Sequence, residues 1–519
     1  MFEKFLSNRF LVLYLCPFSL GSLSTLSFQP FNLTIINFII IPLLFYLIIF
    51  INKKSKSIYR KKPYKKNLFF FGLLFGFGFY LSGISWITNS LTFDENFKIF
   101  IPIALIFIPL FLSFFTALTI LLIGPILKLN FFSILIFSGS LAFSDYSRGM
   151  LFTGFPWNLW SYSISWSSEI LQILNLTGLY LFNLIVITLF TFPIIIFFKI
   201  TRFKKFLYFS LFLIIILSLY LYGNYEINKN KKLLNNTTQS IFVKIISPNF
   251  DLKYDLDGRE IEERIKKLVR YSDPNKEKKT LFIWPEGVFS GYSYNEIKNL
   301  KEHISDNFSH NHSIIFGANK LDKKTGNFFN SIFLVDNNFE IIQSYNKQKL
   351  VPFGEFLPFE KLLKKFGLKK ITEGYGSFLR GDKNKNLIIG NLNILPLICY
   401  EVIFTNFIQK SSNETNLIVN ISEDGWFGNS IGPDQHFAKS IFRAIENNTF
   451  FLRSANKGMS AVIDNKGNII RQLNRNEAGS IEFEVPLIKS NKNKNDLIFF
   501  ALLITYIFIF FNYRKKNAK

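Results

Sequence analysis

The chain has 519 residues, a formal net charge of +24 and 49% hydrophobic residues, of which 65 are Phe. This composition favours membrane-spanning segments over a purely soluble fold. Its Lys and Arg residues lie largely beside apolar segments, which argues against nucleic-acid binding. Two cysteines, Cys16 and Cys399, and four scattered histidines offer no disulfide framework and no metal-ligand spacing, so we expect no metal and no cofactor.

Apolar runs long enough to cross about 30 Å of hydrocarbon predict transmembrane helices. We expect about eight, near residues 10–28, 31–51, 68–88, 98–124, 130–146, 169–199, 206–223 and 496–513. The first run is too long for a signal peptide and lacks a small-residue cleavage site, so we expect it to be retained. The sixth is long enough to be tilted, or broken at Pro193.

The charges of the loops predict the orientation. The stretches "NKKSKSIYRKKPYKK" and "KITRFKK", the turn at Lys128 and the tail "YRKKNAK" are basic, whereas "QPFN", "TNSLTFDENF" and "SDYSRGMLFTGFPWNLWS" carry little positive charge. All basic loops fall on one side if both termini are cytoplasmic, as the positive-inside rule requires. The segment between the last two spans then lies outside the cytoplasm.

That long segment has the pattern of an α/β domain. Short apolar runs such as "SIFVKIISPN", "TLFIWPEG", "ILPLICYE" and "NLIVNISED" alternate with helix-compatible stretches such as "GREIEERIKKLVRYS". We therefore divide the chain into helices one to seven (1–223), an extracytoplasmic domain (224–495), and the last helix with a basic cytoplasmic tail (496–519).

Three motifs in this domain carry chemically useful residues at predicted strand ends. "IWPEGVFSG" presents Glu286, "YNKQKLVPFGEFLP" contains Lys347 and Glu355, and "ICYE" begins with its cysteine, Cys399. Strand ends in α/β folds border the crevice where active sites lie. Taken singly, each has an ordinary explanation: a solvated turn, one lysine among many, and a small buried thiol.

Together the three motifs supply the chemical groups that an acyl-transfer reaction needs. A free thiol has a pKa near 8.5, so Cys399 needs a base to become a thiolate at neutral pH. Glu286 can remove that proton, and Lys347 can stabilise the thiolate and later the oxyanion of a tetrahedral intermediate. Base, cation and nucleophile are then complete without histidine or metal.

These residues resemble the Glu–Lys–Cys triad of the carbon–nitrogen hydrolase (nitrilase) superfamily, whose fold is an αββα sandwich. The eight spans, with the domain between the last two, resemble the apolipoprotein N-acyltransferase family. So do "TGFPW", "YNKQKLVPFGEFLP", "ICYE" and "DGWFGNSIGPDQHF". The resemblance covers nearly the whole chain. It departs at Lys349, where many superfamily members have histidine, and at Val288–Phe289, where smaller residues are expected.

The resemblance implies Glu286 as general base, Lys347 as stabiliser of the thiolate and oxyanion, and Cys399 as nucleophile. Six further residues would support the site or bind substrate: Glu355, Tyr400, Glu401, Trp426, Phe427 and Trp157. The two carboxylates among them would orient the lysine and shape the pocket, and residues 426–427 would belong to a mobile loop near a lipid entrance. Trp157 would either line the membrane-side wall or anchor the chain at the interface.

The resemblance also implies a function and a location. A fatty acyl chain would pass from a membrane phospholipid, through a Cys399 thioester, to the α-amino group of the N-terminal S-diacylglyceryl-cysteine of an apolipoprotein. The protein would be a multi-pass component of the bacterial inner membrane with its α/β domain in the periplasm. Two alternatives are a membrane-tethered amidase or nitrilase acting on a small amide, and a non-catalytic membrane scaffold.

Overall fold

The computed structural model describes residues 8–58, 63–253, 255–358, 377–382, 385–405, 412, 414–490 and 496–516. Parts of the predicted basic loop (59–62), of the domain end (491–495) and of the tail (517–519) lie outside these residues. The chain forms two compact units. One comprises Met1–Thr88, Lys98–Glu226 and Asn493–Lys519, and the other comprises Asn89–Phe97 and Ile227–Lys492.

The α-helices of the described residues are numbered in chain order. They are α1 (Cys16–Ser24), α2 (Asn37–Ile58), α3 (Pro63–Ile84), α4 (Ile101–Ile123), α5 (Phe131–Met150), α6 (Ser168–Leu171), α7 (Leu174–Thr191), α8 (Arg202–Asn235), α9 (Gly258–Ser272), α10 (Tyr294–Lys298), α11 (Glu302–Ser305), α12 (Gly432–Asn447) and α13 (Asp496–Lys516). Short 3₁₀ segments include Ser85–Thr92, Glu95–Phe100, Phe192–Phe197, Cys399–Ile403 and Asp424–Phe427.

Among the described residues, six helices are long and apolar enough to cross a membrane. They are Thr34–Lys54, Lys65–Thr92, Glu95–Ile126, Leu174–Phe197, Arg202–Asn235 and Leu497–Lys516. The first predicted span forms a shorter apolar helix, Leu11–Ser27. The fifth is α5, a full-length helix whose serines, Asp145 and Arg148 lower its hydropathy.

The sixth predicted span, 169–199, is an interrupted helix. A separate turn, α6, precedes α7, and α7 contains a kink at Gly178, whose φ of 68° is not helical. After Thr191 the chain tightens into the 3₁₀ segment that has Pro193 in its first turn. Proline has no N–H to donate to the preceding turn, so the break falls where the sequence predicts it.

The second unit is built on two six-stranded sheets. Their strands are β1 (Ser240–Ser247), β2 (Thr280–Ile283), β3 (His312–Leu321), β4 (Phe328–Val335), β5 (Ile341–Asn346), β6 (Leu387–Ile389), β7 (Leu392–Ile398), β8 (Leu417–Glu423), β9 (Phe451–Asn456), β10 (Ser460–Ile463), β11 (Ile469–Leu473) and β12 (Gly479–Pro486). The first sheet has the order β12-β1-β2-β3-β4-β5, and the second has the order β11-β10-β9-β8-β7-β6.

The two sheets pack face to face. The Ser454 hydroxyl on β9 donates to the carbonyl oxygens of Ile246 on β1 and Ile283 on β2, at 2.8 and 3.2 Å. On the far side of the second sheet, α12 packs against β9 and β10. Because these central strands are covered on both faces, β2 and β8 are buried along their whole length rather than at alternate residues.

Helix α9 covers the outer face of the first sheet. Asp257 and Glu260 form a capping box that satisfies the free N–H groups of its first turn. One face of the helix enters a core shared with the sheet, through Ile261, Ile265 and Leu268. Val288 and Phe289, the residues at which the sequence departs from the family pattern, pack into the same core. The layers are therefore helix, sheet, sheet and helix.

Candidate active site

The candidate residues of the first sheet lie at one edge. β1, β2 and β3 are mutually parallel, and Glu286 follows the carboxyl end of β2. β4 is antiparallel to both β3 and β5. The start of β4, with Asn330, and the end of β5, with Lys347 directly after it, therefore lie at that same edge. A backbone hydrogen bond confirms that Asn330 and Lys347 are neighbours at this edge, because the Lys347 N–H donates to the Asn330 carbonyl at 2.8 Å.

Cys399 stands at the end of β7 in a left-handed backbone conformation. Its φ is +46°, and the 3₁₀ turn Cys399–Ile403 begins with it. For a residue with a Cβ this conformation costs roughly 1–2 kcal/mol, so the surroundings must hold it. Glu401 provides one such restraint, because its Oε2 accepts the Ile398 N–H at 2.9 Å and closes the turn. The half-buried Cys399 therefore lies in the turn that follows the strand rather than within the strand.

Lys347 is a buried ammonium between two carboxylates. Its Nζ lies 2.8 Å from Glu355 Oε1 and 3.6 Å from Glu286 Oε1, and the side chain is 1% exposed. Burial alone would lower the Lys347 pKa, but the two carboxylates overcome it and hold the pKa above its usual range. The group therefore stays positively charged at every physiological pH.

Glu286 accepts hydrogen bonds on both carboxylate oxygens. Asn330 Nδ2 donates to Oε1 at 2.8 Å, and the backbone N–H of Glu423 donates to Oε2 at 3.0 Å. Burial raises the pKa of Glu286, Lys347 lowers it and the charge of Glu355 raises it again, with a net upward shift. A carboxylate with a raised pKa is a stronger base than an exposed one.

The thiol of Cys399 is protonated at rest. Burial is the main cause that raises its pKa, and the negative charge of Glu286 adds to it, while the positive charge of Lys347 opposes the shift. A buried thiol with a raised pKa needs a base to remove its proton before or while the sulfur attacks. The pair can act as base and nucleophile, with Lys347 as the positive charge that stabilises both anions.

Asn330 was not singled out from the sequence. Its Nδ2 donates to Glu286 Oε1 and also to Glu355 Oε1, at 2.8 and 2.9 Å. An asparagine in a β-type run carries no signal of its own. Only its position at the start of β4, which follows the carboxyl end of β3, indicates that it reaches the site.

Glu401 joins the segment after β5 to the turn after β7. Four donors bind its fully buried carboxylate: Tyr345 Oη–H at 2.9 Å and the N–H groups of Gln348 at 2.8 Å and Lys349 at 3.1 Å on Oε1, and Ile398 N–H on Oε2. The carboxylate thus ties the lysine segment to the cysteine turn.

Tyr400, which lies between Cys399 and Glu401 in the chain, packs edge-on against Phe404, with 5.1 Å between ring centroids. Burial raises the pKa of Tyr400.

The turn with Trp426 and Phe427 is held by a segment that the sequence assigned to a loop between spans. Asn89 Nδ2 donates to the Phe427 carbonyl at 2.6 Å. The Phe93 ring meets the Trp426 ring edge-on, with 5.2 Å between centroids. Residues 89–97 therefore fold with the α/β unit, which hydropathy alone did not reveal.

A buried polar cluster anchors the same turn from inside. Asp424 Oδ2 accepts from Arg453 at 2.8 Å, and Asp424 Oδ1 lies 3.0 Å from His436 Nδ1. Burial and the Arg453 charge lower the pKa of His436 to about 4, so its ring is neutral. The described residues contain no group of three or more His, Cys, Asp and Glu placed to hold a metal ion.

Trp157 belongs to the helical unit. It is 1% exposed, and its ring packs with Trp86 at 4.7 Å and stacks nearly parallel to Phe155 at 5.8 Å between centroids. The Arg148 guanidinium donates to the Phe155 carbonyl and so fixes this loop to α5. A role for Trp157 in substrate contact remains a prediction.

Stacked sheets with a thiol, a carboxyl and an ammonium at their strand ends define a carbon–nitrogen hydrolase domain, and the family model "Carbon-nitrogen hydrolase" matches residues 258–490. A second, "Apolipoprotein N-acyltransferase N-terminal domain", matches residues 20–192. The chain belongs to the apolipoprotein N-acyltransferase family, as its motifs predict.

Relatives of this chain are named "Apolipoprotein N-acyltransferase". The protein of Rickettsia prowazekii is 33% identical over 451 residues, covering 85% of this chain and 88% of the relative. That of Rhodopseudomonas palustris is 29% identical over 483 residues, covering 90% and 88%. A solved Saccharomyces cerevisiae member of branch 10 of the nitrilase superfamily is 16% identical, with a TM-score of 0.37, covering 48% of this chain and 91% of its own.

Proposed function

We propose that this protein moves a fatty acyl group from a membrane phospholipid to the α-amino group of the N-terminal S-diacylglyceryl-cysteine of apolipoproteins. One observation carries the mechanism: Glu286 and Lys347 lie 3.6 Å apart, and Cys399, in a left-handed turn at the end of β7, is near enough for both charges to act on its thiol. The shared name of the relatives supports the choice of acceptor.

In the first half of the cycle, the Cys399 sulfur attacks the ester carbonyl carbon of the phospholipid while Glu286 takes the thiol proton. Lys347 stabilises the negative charge on the tetrahedral oxygen. When the carbon–oxygen ester bond breaks, Glu286 gives its proton to the departing oxygen of the lysophospholipid. A thioester on Cys399 and an unprotonated Glu286 remain.

In the second half, the neutral α-amine attacks the thioester carbonyl. Glu286 takes a proton from the attacking nitrogen and returns it to the leaving Cys399 sulfur. An α-amino group has a pKa of about 7.7–8.0 against about 10.4 for lysine, so roughly a tenth of α-amines are neutral at pH 7 but fewer than about a thousandth of lysines. The chemistry thus favours an N-terminal amine over side chains.

The location follows from the cost of moving lipid. Each buried CH₂ is worth about 0.8 kcal/mol, so both lipids must reach the site without leaving the bilayer. We assign seven spans to 1–223, the catalytic domain to the periplasmic interval 224–495, and the last span with a cytoplasmic tail to 496–519, in the bacterial inner membrane. The six long apolar helices and the basic loops support this topology.

The test uses the purified full-length protein in detergent with phospholipid and a diacylated lipopeptide. Mass spectrometry should show one added acyl chain, as an amide at the peptide N-terminus. An N-acetylated lipopeptide is the matched control and should gain nothing. Release of free fatty acid at equal rates with and without lipopeptide would identify a hydrolase instead, and a chain with no acyl chemistry at all would be a scaffold.

A further inference from the structure

We infer that Asn330 is a positioning residue: its single amide group holds the Glu286 and Glu355 carboxylates together and keeps Glu286 ready to accept a proton. The inference rests on the proposed role of Glu286 as base. It concerns a residue that sequence motifs do not mark, and it arises from hydrogen bonds in the α/β unit alone.

The geometry is a closed arrangement of two donors and two acceptors. Asn330 Nδ2 lies 2.8 Å from Glu286 Oε1 and 2.9 Å from Glu355 Oε1. Lys347 Nζ approaches the same two oxygens, at 3.6 and 2.8 Å. The two hydrogens of the amide can serve one carboxylate each. Two carboxylates that would repel each other are therefore bridged by one cation and one neutral amide.

The main chain fixes the amide in this place. The Asn330 carbonyl accepts the Lys347 N–H, so the same residue binds the lysine through its backbone and the carboxylates through its side chain. It pairs with Asn319 across the β3–β4 ladder. The next residue, Ser331, is fully buried and donates to Asn346 Oδ1 at 2.9 Å. Ser331 therefore offers a control in the same strand without contact to either carboxylate.

The amide affects proton transfer because an N–H donor favours the ionised carboxylate over the neutral acid. Without it, Glu286 would retain its proton to higher pH and could not accept another proton there. Other charged or titratable groups face Glu286 from the neighbouring segments, and a substitution of Asn330 removes none of them: Lys347, Glu355, Cys399 and Glu423. A change at Asn330 alone thus tests the contribution of the amide.

The experiment follows alkylation of Cys399 by iodoacetamide across pH, in full-length protein in detergent and without lipid. Peptide mass spectrometry separates Cys399 from Cys16. The rate should rise with pH as Glu286 loses its proton, and Glu286→Gln should abolish that rise. In Asn330→Ala the rise in alkylation rate should occur about one pH unit higher than in the wild type. At a pH below the rise, the variant should therefore be alkylated about tenfold more slowly. In Ser331→Ala the rise should occur at the same pH as in the wild type.

An unshifted rise in Asn330→Ala, or one that persists in Glu286→Gln, would overturn the inference. Asn330→Leu, which keeps the volume and lacks the donor, should give the same shift and replaces the alanine variant if that variant unfolds. Because alkylation needs no lipid, the two claims are separable. If the pH of the alkylation rise shifts but the protein transfers no acyl group, Asn330 keeps its role and the proposed function is refuted. If the protein transfers acyl groups but the rise does not shift, the proposed function stands and the role of Asn330 is refuted.

Discussion

Lys347 Nζ is 2.8 Å from Glu355 Oε1 but 3.6 Å from Glu286 Oε1, so the ammonium lies closer to Glu355 than to the proposed base. This asymmetry separates two tasks. In the proposed mechanism, Glu355 keeps Lys347 charged and in place, and Glu286 accepts and releases the proton. One cation between two equally close carboxylates would suppress the basicity of both.

Replacing the base should abolish nucleophile activation. Glu286→Gln keeps the shape and the hydrogen bond to one donor, but it cannot take the Cys399 proton. We expect the single-turnover acylation of Cys399 by phospholipid to fall by about 10²–10⁴, the usual contribution of a general base. Glu302→Gln, an exposed carboxyl on α11, is the control. An unchanged rate in Glu286→Gln would remove this residue from the mechanism.

Replacing the supporting carboxylate should be damaging but less severe. Glu355→Gln removes the negative charge closest to Lys347 and leaves only one side-chain oxygen to accept the hydrogen bonds of its neighbours. We expect about a hundredfold slower acylation, the scale of a small displacement of a catalytic group. The measurement is the same single-turnover rate, with the thermal midpoint as a check on folding. A wild-type rate would mean that Lys347 needs no second carboxylate.

The sequence predicted the residues that carry reactive groups and two supporting carboxylates, Glu355 and Glu401, but it did not single out Asn330. Glu286, Lys347 and Cys399 follow apolar runs, so hydropathy places them at strand ends. Asn330 looks like any polar residue in a strand, because its importance comes from the antiparallel β3–β4 pairing. The positive φ of Cys399 is likewise a property of the folded turn. These features depend on contacts distant in sequence, which local patterns do not encode.

The segment 89–97 illustrates a different limit. Its sequence, "NSLTFDENF", reads as a short loop between two apolar runs. In the structure it belongs to the α/β unit, where Asn89 binds the Phe427 carbonyl. Hydropathy locates the ends of spans, but it does not report which domain a connecting loop joins.

Stability should depend on pH through Glu423. Burial raises the pKa of this carboxyl to about 8, against about 4.3 for an unfolded glutamate. Between these values the folded state holds a proton that the unfolded state has lost, so the free energy of unfolding falls as pH rises. In Glu423→Gln this loss is absent, and the unfolding temperature should fall less steeply between about pH 5 and 8. Identical slopes would contradict the raised pKa.

The topology can be tested with fusions at two sites. A periplasmic reporter such as alkaline phosphatase, fused after Asn337 in the turn between β4 and β5, should be active. The same reporter fused at Lys128, in a short basic turn, should be inactive because the positive-inside rule predicts that this turn is cytoplasmic. Cytoplasmic behaviour after Asn337 would overturn both the span count and the access of the site to periplasmic acceptors.

The central claim is that Cys399 carries the acyl group between two lipids, and mass spectrometry of the wild-type protein tests it most directly. With phospholipid alone, the peptide that contains Cys399 should gain one acyl mass, removable by hydroxylamine as a thioester is. Adding diacylated lipopeptide should clear the adduct and place the same mass on the peptide amine. Robust N-acylation of the lipopeptide by Cys399→Ala would contradict the covalent mechanism.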